Sequence, residues 1–502
     1  MCGSPKSTWS GFLCPEMRIL AIDQGTSATK AVVTVDRVVV AEAETPCAPT
    51  ALANGGVEVD PELLWQSVLS AGHLAIDRAG GMTPDAIGLA NQGETILAWD
   101  RRTGHPLSAA ISWQDRRSAG LCDELRRNGW GQILAQITGL ELDPYFVAPK
   151  IAWLRAIVGP NPTIATTDVW LLNRLCGAFV TDAATASRTL LTDLESVQWN
   201  DQACDAFNID IGQLPQIVDN AGFVGETTAF SERPIPITGL CVDQQAALFA
   251  ESCFLPGHAK CTYGTGAFLL ANAGAVPTRS TNGLVGCVAW QFDGQPTWCL
   301  DGQVYTVGAA VSWLQQIGLI NHPRDLDAVG GTVDGAHGVT FIPGLAGLGA
   351  PFWAPHARGS LAGISLGTTP GHVVRAVIDG IAAQVAWLAR AAGDDLGTPL
   401  IRLRVDGGLT RSQVLLQTQA DLAQIPVEVY PSPNATALGV AAFAEIGNGT
   451  VSSVVLGERR GPDGTLDWQP SAVFEPQIDA DQALSRLAQW RAVAEATLDL
   501  DA

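Results

Sequence analysis

The sequence predicts an α/β protein made of two related halves. Strand-like and helix-like segments alternate over most of its 502 residues, which is typical of α/β architecture. An apolar run, a turn containing Gly and Thr, and a second apolar run occur at Ile19–Lys30 and again at Ala259–Gly274. Because the same layout occurs near the start of each half, we expect a duplicated fold with a nucleotide between the copies.

The first of these hairpins carries side chains that suit a phosphate site. Gly25 lets the backbone approach an anion, and Thr26 and Ser27 offer hydroxyl and amide donors. Lys30 adds positive charge, and Asp23 can hold a divalent metal through water molecules. Taken alone, the stretch fits an ordinary β-hairpin equally well. The second copy favours phosphate binding, and the absence of Walker-type and Rossmann-type glycine motifs disfavours those two folds.

The remaining segments follow from their apolar periodicity. In the first half we predict helices at Pro61–Arg78 and Asp168–Leu175, and strands at Ala86–Asn91, Ile96–Asp100, Ala109–Trp113 and Ile235–Leu240. In the second half we predict strands at Val339–Pro343 and Leu403–Val405, and helices at Pro370–Ala391, Leu415–Leu422 and Thr436–Ile446. Residues 473–502 are predicted to form an amphipathic helix that caps the second half.

The domain boundary is expected near Glu251–Gly257, where F-L-P-G interrupts the pattern. This gives a first domain of residues 17–250 and a second domain of residues 251–502. Residues 1–16 lack the apolar core of a signal peptide. We expect a disordered arm or an over-extended start there, with translation beginning at either Met1 or Met17.

The composition indicates small-molecule partners. The 50 acidic and 29 basic residues give a net charge of −21, which disfavours a nucleic-acid or anionic-membrane surface. No uninterrupted apolar run reaches the length of a membrane span. The 11 cysteines lack CxxC spacing and are expected to be reduced, mostly buried thiols of a cytoplasmic protein.

Asp243 is the strongest single candidate for chemistry. It follows an apolar strand and opens a helix, D-Q-Q-A-A-L-F-A, where the helix dipole favours an ionised carboxylate. An alcohol that attacks a phosphoryl group needs a positioned carboxylate to accept its proton. By position alone, an N-cap aspartate explains the residue as well.

Several ordered motifs together resemble one known family. They are D-Q-G-T-S-A-T-K at residues 23–30, S-W-Q-D-R-R at 112–117, A-S-R-T-L-L at 186–191, Y-G-T-G-A-F at 263–268, G-L-G-A-P-F-W at 347–353 and V-D-G-G at 405–408. In this respect the chain resembles the FGGY carbohydrate kinases, and among them the glycerol kinases, from Met17 to about Gly449. The resemblance implies two actin-like, ribonuclease H-like ATPase domains whose cleft takes ATP, Mg²⁺ and a polyol or sugar.

The resemblance also implies roles for individual residues. Asp243 matches the catalytic base, and Asp23 with Asp243 matches the Mg²⁺ site. ATP contacts are implied for Thr26, Ser27, Lys30, Thr265, Gly266, Gly308, Ser312, Gly408 and Ser412. Substrate contacts are implied for Gly93, Glu94, Trp113, Tyr145, Asp243, Gln244 and Phe268. Judged without the motifs, the aromatic residues are ordinary core residues, and Lys150 is a solvated helix charge.

One departure from the family pattern bears on the substrate. Glycerol kinases usually have N-Q-R-E-T where this chain has N-Q-G-E-T, so Gly93 replaces an arginine that donates hydrogen bonds. The loss is expected to open space, so that the site takes a longer polyol or needs another donor. The alternatives are therefore a kinase of a tetritol or ketopentose such as erythritol, xylulose or ribulose, and a non-catalytic sugar-binding protein. A homodimer or homotetramer is expected in either case.

Overall fold

A computed structural model describes residues 16–449 and 468–500. Its first half begins with the predicted hairpin and alternates strands with helices. The strands are β1 (Arg18–Gln24), β2 (Ala28–Val35), β3 (Val38–Pro46), β4 (Thr50–Ala51), β5 (Val57–Val59), β6 (Ala86–Asn91), β7 (Ile96–Trp99), β8 (Ala110–Ile111), β9 (Thr163–Thr166), β10 (Val180–Asp182), β11 (Gln216–Val218), β12 (Ala221–Thr227) and β13 (Ile235–Val242). The helices are α1 (Pro61–Arg78), α2 (Ala119–Arg127), α3 (Trp130–Thr138), α4 (Val147–Val158), α5 (Thr167–Cys176), α6 (Ala183–Ala186), α7 (Asp201–Ala206) and α8 (Asp243–Ala250).

The second half begins with the other hairpin. Its strands are β14 (Ala259–Tyr263), β15 (Ala267–Gly274), β16 (Val285–Phe292), β17 (Gln295–Val304), β18 (Thr340–Ile342), β19 (Ser360–Ala362), β20 (Leu403–Asp406), β21 (Val427–Val429) and β22 (Ala472–Phe474). Its helices are α9 (Gly308–Gln316), α10 (Leu326–Gly330), α11 (Pro370–Leu396), α12 (Gln413–Ala423), α13 (Ala435–Gly447) and α14 (Ala480–Leu500). Short 3-10 helices lie at Ile211–Gln213, Pro323–Asp325 and Gly408–Arg411.

The two large sheets repeat one topology, which confirms the predicted fold class. The first has the strand order β12-β13-β6-β1-β2-β3, and the second has the order β16-β17-β15-β14-β20-β21-β22. In each sheet an antiparallel hairpin, β1–β2 or β14–β15, is followed by two further strands parallel to its first strand. Because parallel strands end at the same edge, the loops after β1, β6 and β13 are neighbours, as are those after β14, β20 and β21.

A smaller five-stranded sheet, in the order β4-β5-β8-β7-β9, is inserted into the first half. Ile96 of β7 pairs with Ile111 of β8 and with Thr166 of β9. The side chains of Trp113, Tyr145 and Phe146 belong to the buried cluster next to this sheet. The insertion therefore supports the aromatic residues that the sequence places in the substrate site.

Helix α13 crosses from the second half of the chain to the sheet of the first half. A Cβ added at Gly439 would lie 1.9 Å from the carbonyl oxygen of Ala246 in α8, and one added at Gly88 in β6 would lie 2.4 Å from the carbonyl oxygen of Val440. The small residues of this helix therefore allow the close packing expected for Thr436–Ile446. The packing also means that a helix of the segment 251–502 covers the sheet of the segment 17–250.

Within residues 16–449 and 468–500, one helix has the length and hydropathy that a membrane span would need, and it is the longest helix, α11. Of its most apolar 18-residue stretch, 72% is buried within the protein.

The prediction for residues 473–502 is partly wrong, because β22 pairs with β21 before α14 begins at Ala480. The described part of that segment does pack on the second half, where Trp490 donates a hydrogen bond to the carbonyl oxygen of Phe341 at 3.2 Å.

Candidate active site

One cavity of about 180 Å³ brings together residues from both hairpins and from the loops after β6 and β13. Nine of the residues singled out in the sequence line it, namely Thr26, Ser27, Glu94, Trp113, Tyr145, Asp243, Gln244, Thr265 and Phe268. Five others complete the lining, namely Gln92, Arg188, Val242, Thr262 and Gly264. The cavity therefore joins the phosphate-type turns of both halves to a set of polar and aromatic side chains.

Asp243 is the first residue of α8 and is only partly buried. The backbone N–H of Gln244 donates to its Oδ1 at 2.7 Å. The pKa of Asp243 is raised to about 7, chiefly by burial and also by the charges of Asp23 and Glu94, while Lys260 acts to lower it. Near neutral pH this carboxylate can therefore both hold and release a proton, as a general base must.

Aromatic rings form one side of the cavity. The ring of Trp113 meets the rings of Tyr145 and Phe268 edge to face, with centroids 5.9 Å and 5.7 Å apart. The indole Nε1 of Trp113 donates to Thr26 Oγ1 at 2.8 Å, so this aromatic wall is tied to the first phosphate-type turn. Such faces suit the carbon skeleton of a small polyol.

Lys150 holds the backbone beneath Tyr145 and is not a solvated charge. Its ammonium group donates to the carbonyl oxygens of Pro144 at 3.1 Å, of Tyr145, and of Phe146 at 2.8 Å. Burial lowers its pKa to about 7. The interpretation of Lys150 as a surface residue is therefore wrong.

Lys260 connects the second hairpin to the residue after Asp243. Its Nζ donates to Gln244 Oε1 at 2.5 Å and to Thr262 Oγ1 at 2.7 Å. Because the amide oxygen of Gln244 accepts from Lys260, its NH₂ group remains as the donor that this side chain can offer in the cavity.

Asp23 and Lys30 face each other across the first hairpin but do not line the cavity. Burial raises the pKa of Asp23 to about 6, Lys30 lowers it, and Asp406 and Glu44 raise it. The ammonium group of Lys30 donates to the carbonyl oxygen of Pro433 at 3.1 Å. In this structure Lys30 is thus engaged by the loop before α13.

The residues expected on the nucleotide side lie around the second hairpin. The N–H of Gly308 donates to the carbonyl oxygen of Gly264 at 3.1 Å, and Ser312 Oγ donates to the carbonyl oxygen of Gly308 at 3.1 Å. A Cβ added at Gly266 would lie 2.6 Å from the carbonyl oxygen of Val304. These residues form a close-packed backbone wall behind the second turn.

Gly408 and Ser412 lie at the end of β20, in the same half. Gly408 begins the 3-10 helix, and Ser412 caps α12 by accepting from the N–H of Leu415 at 3.1 Å. The hydroxyl of Ser412 also donates to the carboxylate of Asp327. The hydroxyl of Ser412, a residue implied to contact ATP, is therefore already engaged by Asp327 and Leu415.

The expectation that Gly93 opens space stays a prediction, and Val242 limits that space on one side. Gly93 has a φ of 78°, and a Cβ added there would lie 3.2 Å from Cγ2 of Val242. Val242 therefore packs close to residue 93 on one side, and any side chain at residue 93 would be strained by the positive φ.

Arg188, Val242 and Lys260 are functional candidates that sequence reasoning missed. Arg188 lies in the A-S-R-T motif, Val242 immediately precedes Asp243, and Lys260 lies in the first strand of the second hairpin. Each lies close in sequence to a recognised motif, which was a usable signal. Their contacts with Glu94, Asp301, Gly93 and Gln244, however, join residues that are distant in sequence.

Comparisons with known proteins agree with this geometry. The N-terminal domain of the FGGY family of carbohydrate kinases matches residues 18–250, and its C-terminal domain matches residues 259–447. A glycerol kinase from Bordetella parapertussis is 40% identical over 497 residues, which cover 95% of this chain and 96% of that protein.

Two solved structures show the same fold. The crystal structure of Plasmodium falciparum glycerol kinase with ADP has a TM-score of 0.85 and 32% identity, and the match covers 96% of this chain and 98% of that chain. A ligand-bound xylulose kinase from Lactobacillus acidophilus has a TM-score of 0.83 and 21% identity, over 97% of this chain and 99% of that chain. The chain therefore belongs to the FGGY family of carbohydrate kinases and is an ATP-dependent kinase.

Proposed function

We propose that this kinase transfers the γ-phosphoryl group of ATP to a primary hydroxyl of glycerol or of a closely related small polyol. The observation that carries the proposal is the single cavity of about 180 Å³ in which Asp243, polar side chains and both phosphate-type turns meet. Pockets for drug-sized ligands are larger, about 300–1,000 Å³. The small volume therefore favours a short polyol.

In the proposed reaction, Asp243 accepts the proton of the attacking hydroxyl on a carboxylate oxygen. The hydroxyl oxygen forms a bond to the γ-phosphorus as the bond to the β,γ-bridging oxygen breaks. Glu94 and Gln244 hold the other hydroxyl groups, because a carboxylate accepts and the free amide NH₂ donates. Trp113 and Phe268 pack against the carbon atoms and exclude water from the transfer.

The phosphate groups are proposed to lie between the two turns. Thr26 and Ser27 offer hydroxyl and amide donors from the first turn, and Gly264 and Thr265 offer donors from the second. The wider nucleotide is proposed to extend toward Gly266, Gly308, Ser312, Gly408 and Ser412, with Lys30 as a further positive charge.

The residues present also fit Mg²⁺. The carboxylates of Asp23 and Asp243 are near enough for Asp23 to raise the pKa of Asp243, so a cation held by both would be favoured. Residues 16–449 and 468–500 contain no cluster of three or more His, Cys, Asp or Glu that could enclose a metal. Mg²⁺ commonly uses one or two carboxylates with water and substrate phosphates, and there it would neutralise charge on the transferring phosphoryl group.

Glycerol is the leading substrate because a glycerol kinase is 40% identical over nearly the whole chain, whereas the xylulose kinase shares only the fold at 21% identity. The test is a coupled ADP-release assay over glycerol, erythritol, threitol, the pentitols and the ketopentoses. The highest kcat/KM is expected for glycerol, with Asp243→Asn as the inactive control. A higher value for a ketopentose would overturn the choice of substrate, and ADP release that no acceptor stimulates would overturn the kinase reaction itself.

We also propose that the functional lobes correspond to residues 17–250 and 251–502, with α13 as a shared element. A cytoplasmic location is supported by the nine described cysteines, which are all free thiols.

A homodimer or homotetramer is supported by two apolar side chains on the loop before α11, since Ile364 is 60% exposed and Leu366 is fully exposed. Light scattering after size exclusion tests the assembly, and a monomer would contradict it.

A further inference from the structure

The cavity contains a guanidinium group, but residue 93 does not supply it. Arg188 follows α6 and lines the same cavity as Asp243, although only 3% of the residue is exposed. Its side chain contacts Glu94 and Tyr145 of the first half and Asp301 of the second half. Arg188 is therefore the point at which two proposed substrate residues are tied to the opposite half of the molecule.

The hydrogen bonds of Arg188 leave one donor available. Its Nε–H donates to Glu94, one terminal nitrogen donates to Asp301 and to Cys287 Sγ at 3.6 Å, and the other donates to the Tyr145 hydroxyl at 3.2 Å. A guanidinium carries five N–H groups. Within the described parts of the chain, the fifth N–H therefore has no acceptor.

The same contacts orient the groups around it. Because the Tyr145 oxygen accepts from Arg188, the phenolic hydrogen is free to be donated elsewhere. Glu94 accepts through Oε1, and no residue in the ranges 16–449 and 468–500 donates to its Oε2. The three side chains thus offer two donors and one acceptor, which match two adjacent hydroxyl groups of a polyol.

The charges explain why the arrangement is stable. Burial disfavours the guanidinium, but the neighbouring carboxylates of Glu94 and Asp301 hold the pKa of Arg188 well above its usual value. A buried guanidinium between two carboxylates keeps a fixed geometry, whereas a single ion pair could rotate. Residue 93 does not play this part, because glycine has no side chain to donate and its positive φ disfavours any other residue.

We infer that Arg188 is a specificity-determining residue of this kinase, which recognises adjacent hydroxyl groups of the substrate in place of a side chain at residue 93. The inference rests on the proposed function, since it assigns a role within the same cavity. It predicts that Arg188 distinguishes a triol from a diol that lacks the neighbouring hydroxyl.

The test compares glycerol with propane-1,3-diol, which lacks the middle hydroxyl, in the wild type, Arg188→Lys and Asp301→Asn. The preference for glycerol in kcat/KM should fall at least about tenfold in Arg188→Lys and by a smaller factor in Asp301→Asn. Arg404→Lys is the matched control, because Arg404 is also 3% exposed but lies outside the cavity. Its preference should equal that of the wild type.

The readout separates recognition from folding. A purely structural role for Arg188 would lower kcat/KM for both alcohols equally, so an unchanged preference in Arg188→Lys would overturn the inference. If that variant does not fold, an unchanged preference in the isosteric Asp301→Asn would overturn it instead. If the wild type phosphorylates another polyol and not glycerol, the proposed substrate fails, and the same comparison is made with that polyol and its analogue lacking the adjacent hydroxyl.

Discussion

The two halves of the molecule repeat one sheet topology but carry different chemistry at equivalent turns. Asp23 lies two residues before Gly25 in the first hairpin, and Thr262 lies two residues before Gly264 in the second. The first half thus contributes carboxylates, and the second contributes a hydroxyl and the buried ammonium group of Lys260. Under the proposed function the duplicated scaffold divides the work, because proton and metal chemistry belongs to the first copy, whereas both copies contribute phosphate contacts.

The largest effect is expected on kcat, for substitution of the carboxylate that follows β13. Asp243→Asn should lower kcat by about a hundredfold or more, because the amide cannot accept the proton of the attacking hydroxyl. Asp406→Asn, at the end of β20 in the second half, is the matched change and should cost less than tenfold in kcat. Steady-state kinetics and nucleotide binding would be measured for both variants. Equal losses would show that the halves do not divide the work in this way.

The next largest effect is expected on the apparent affinity for Mg²⁺ and compares equivalent residues of the two hairpins. Asp23→Asn should weaken the apparent affinity for Mg²⁺ by about 10–100-fold, because it removes a carboxylate from the proposed metal site. Thr262→Val changes the equivalent residue of the second hairpin and should leave that affinity nearly unchanged. Initial rates over a Mg²⁺ titration at saturating ATP provide the measurement. A shift of similar size in Thr262→Val would contradict the comparison.

The pH dependence follows from the pKa of Asp243. Since burial raises this pKa to about 7, the residue is protonated and inactive as a base below that pH. The value of kcat/KM should therefore fall about tenfold per pH unit below about 7 and level off above it. Lys260→Met should move this limb to higher pH, because Lys260 lowers the pKa of Asp243. A limb that stays in place would exclude electrostatic coupling between the halves.

The smallest effect is on stability and compares two glycines with positive φ. A Cβ at Gly407 would lie 2.4 Å from the carbonyl oxygen of Tyr263, whereas one at Gly93 would lie 3.2 Å from a methyl group of Val242. Positive φ costs about 1–3 kcal/mol for a non-glycine residue. Gly407→Ala should therefore lower the free energy of unfolding more than Gly93→Ala, because backbone yields less than a side chain. Urea unfolding of both variants tests the order, which equal losses would contradict.

Local sequence was sufficient for many elements of the fold. Helix α1 was predicted with the observed bounds, because Pro61 suits its first position and Asp60 accepts a hydrogen bond from the N–H of Glu62. Strand β6 was predicted equally well from its continuous apolar run, which is typical of a strand buried on both faces. The beginning of α14 was missed, since the pairing of β22 with β21 is not a local property.

For the site, the sequence by itself determined the two turns, the carboxylate after β13 and the aromatic residues, because short motifs encode their chemistry and backbone geometry. Only the tertiary structure decided how they are surrounded. The ion pairs of Arg188 join residues 94 and 113 positions apart in sequence, and the methyl group beside Gly93 belongs to Val242 at the end of β13. Such contacts depend on how the sheet and the two halves assemble, and local periodicity contains no information about distance across that assembly.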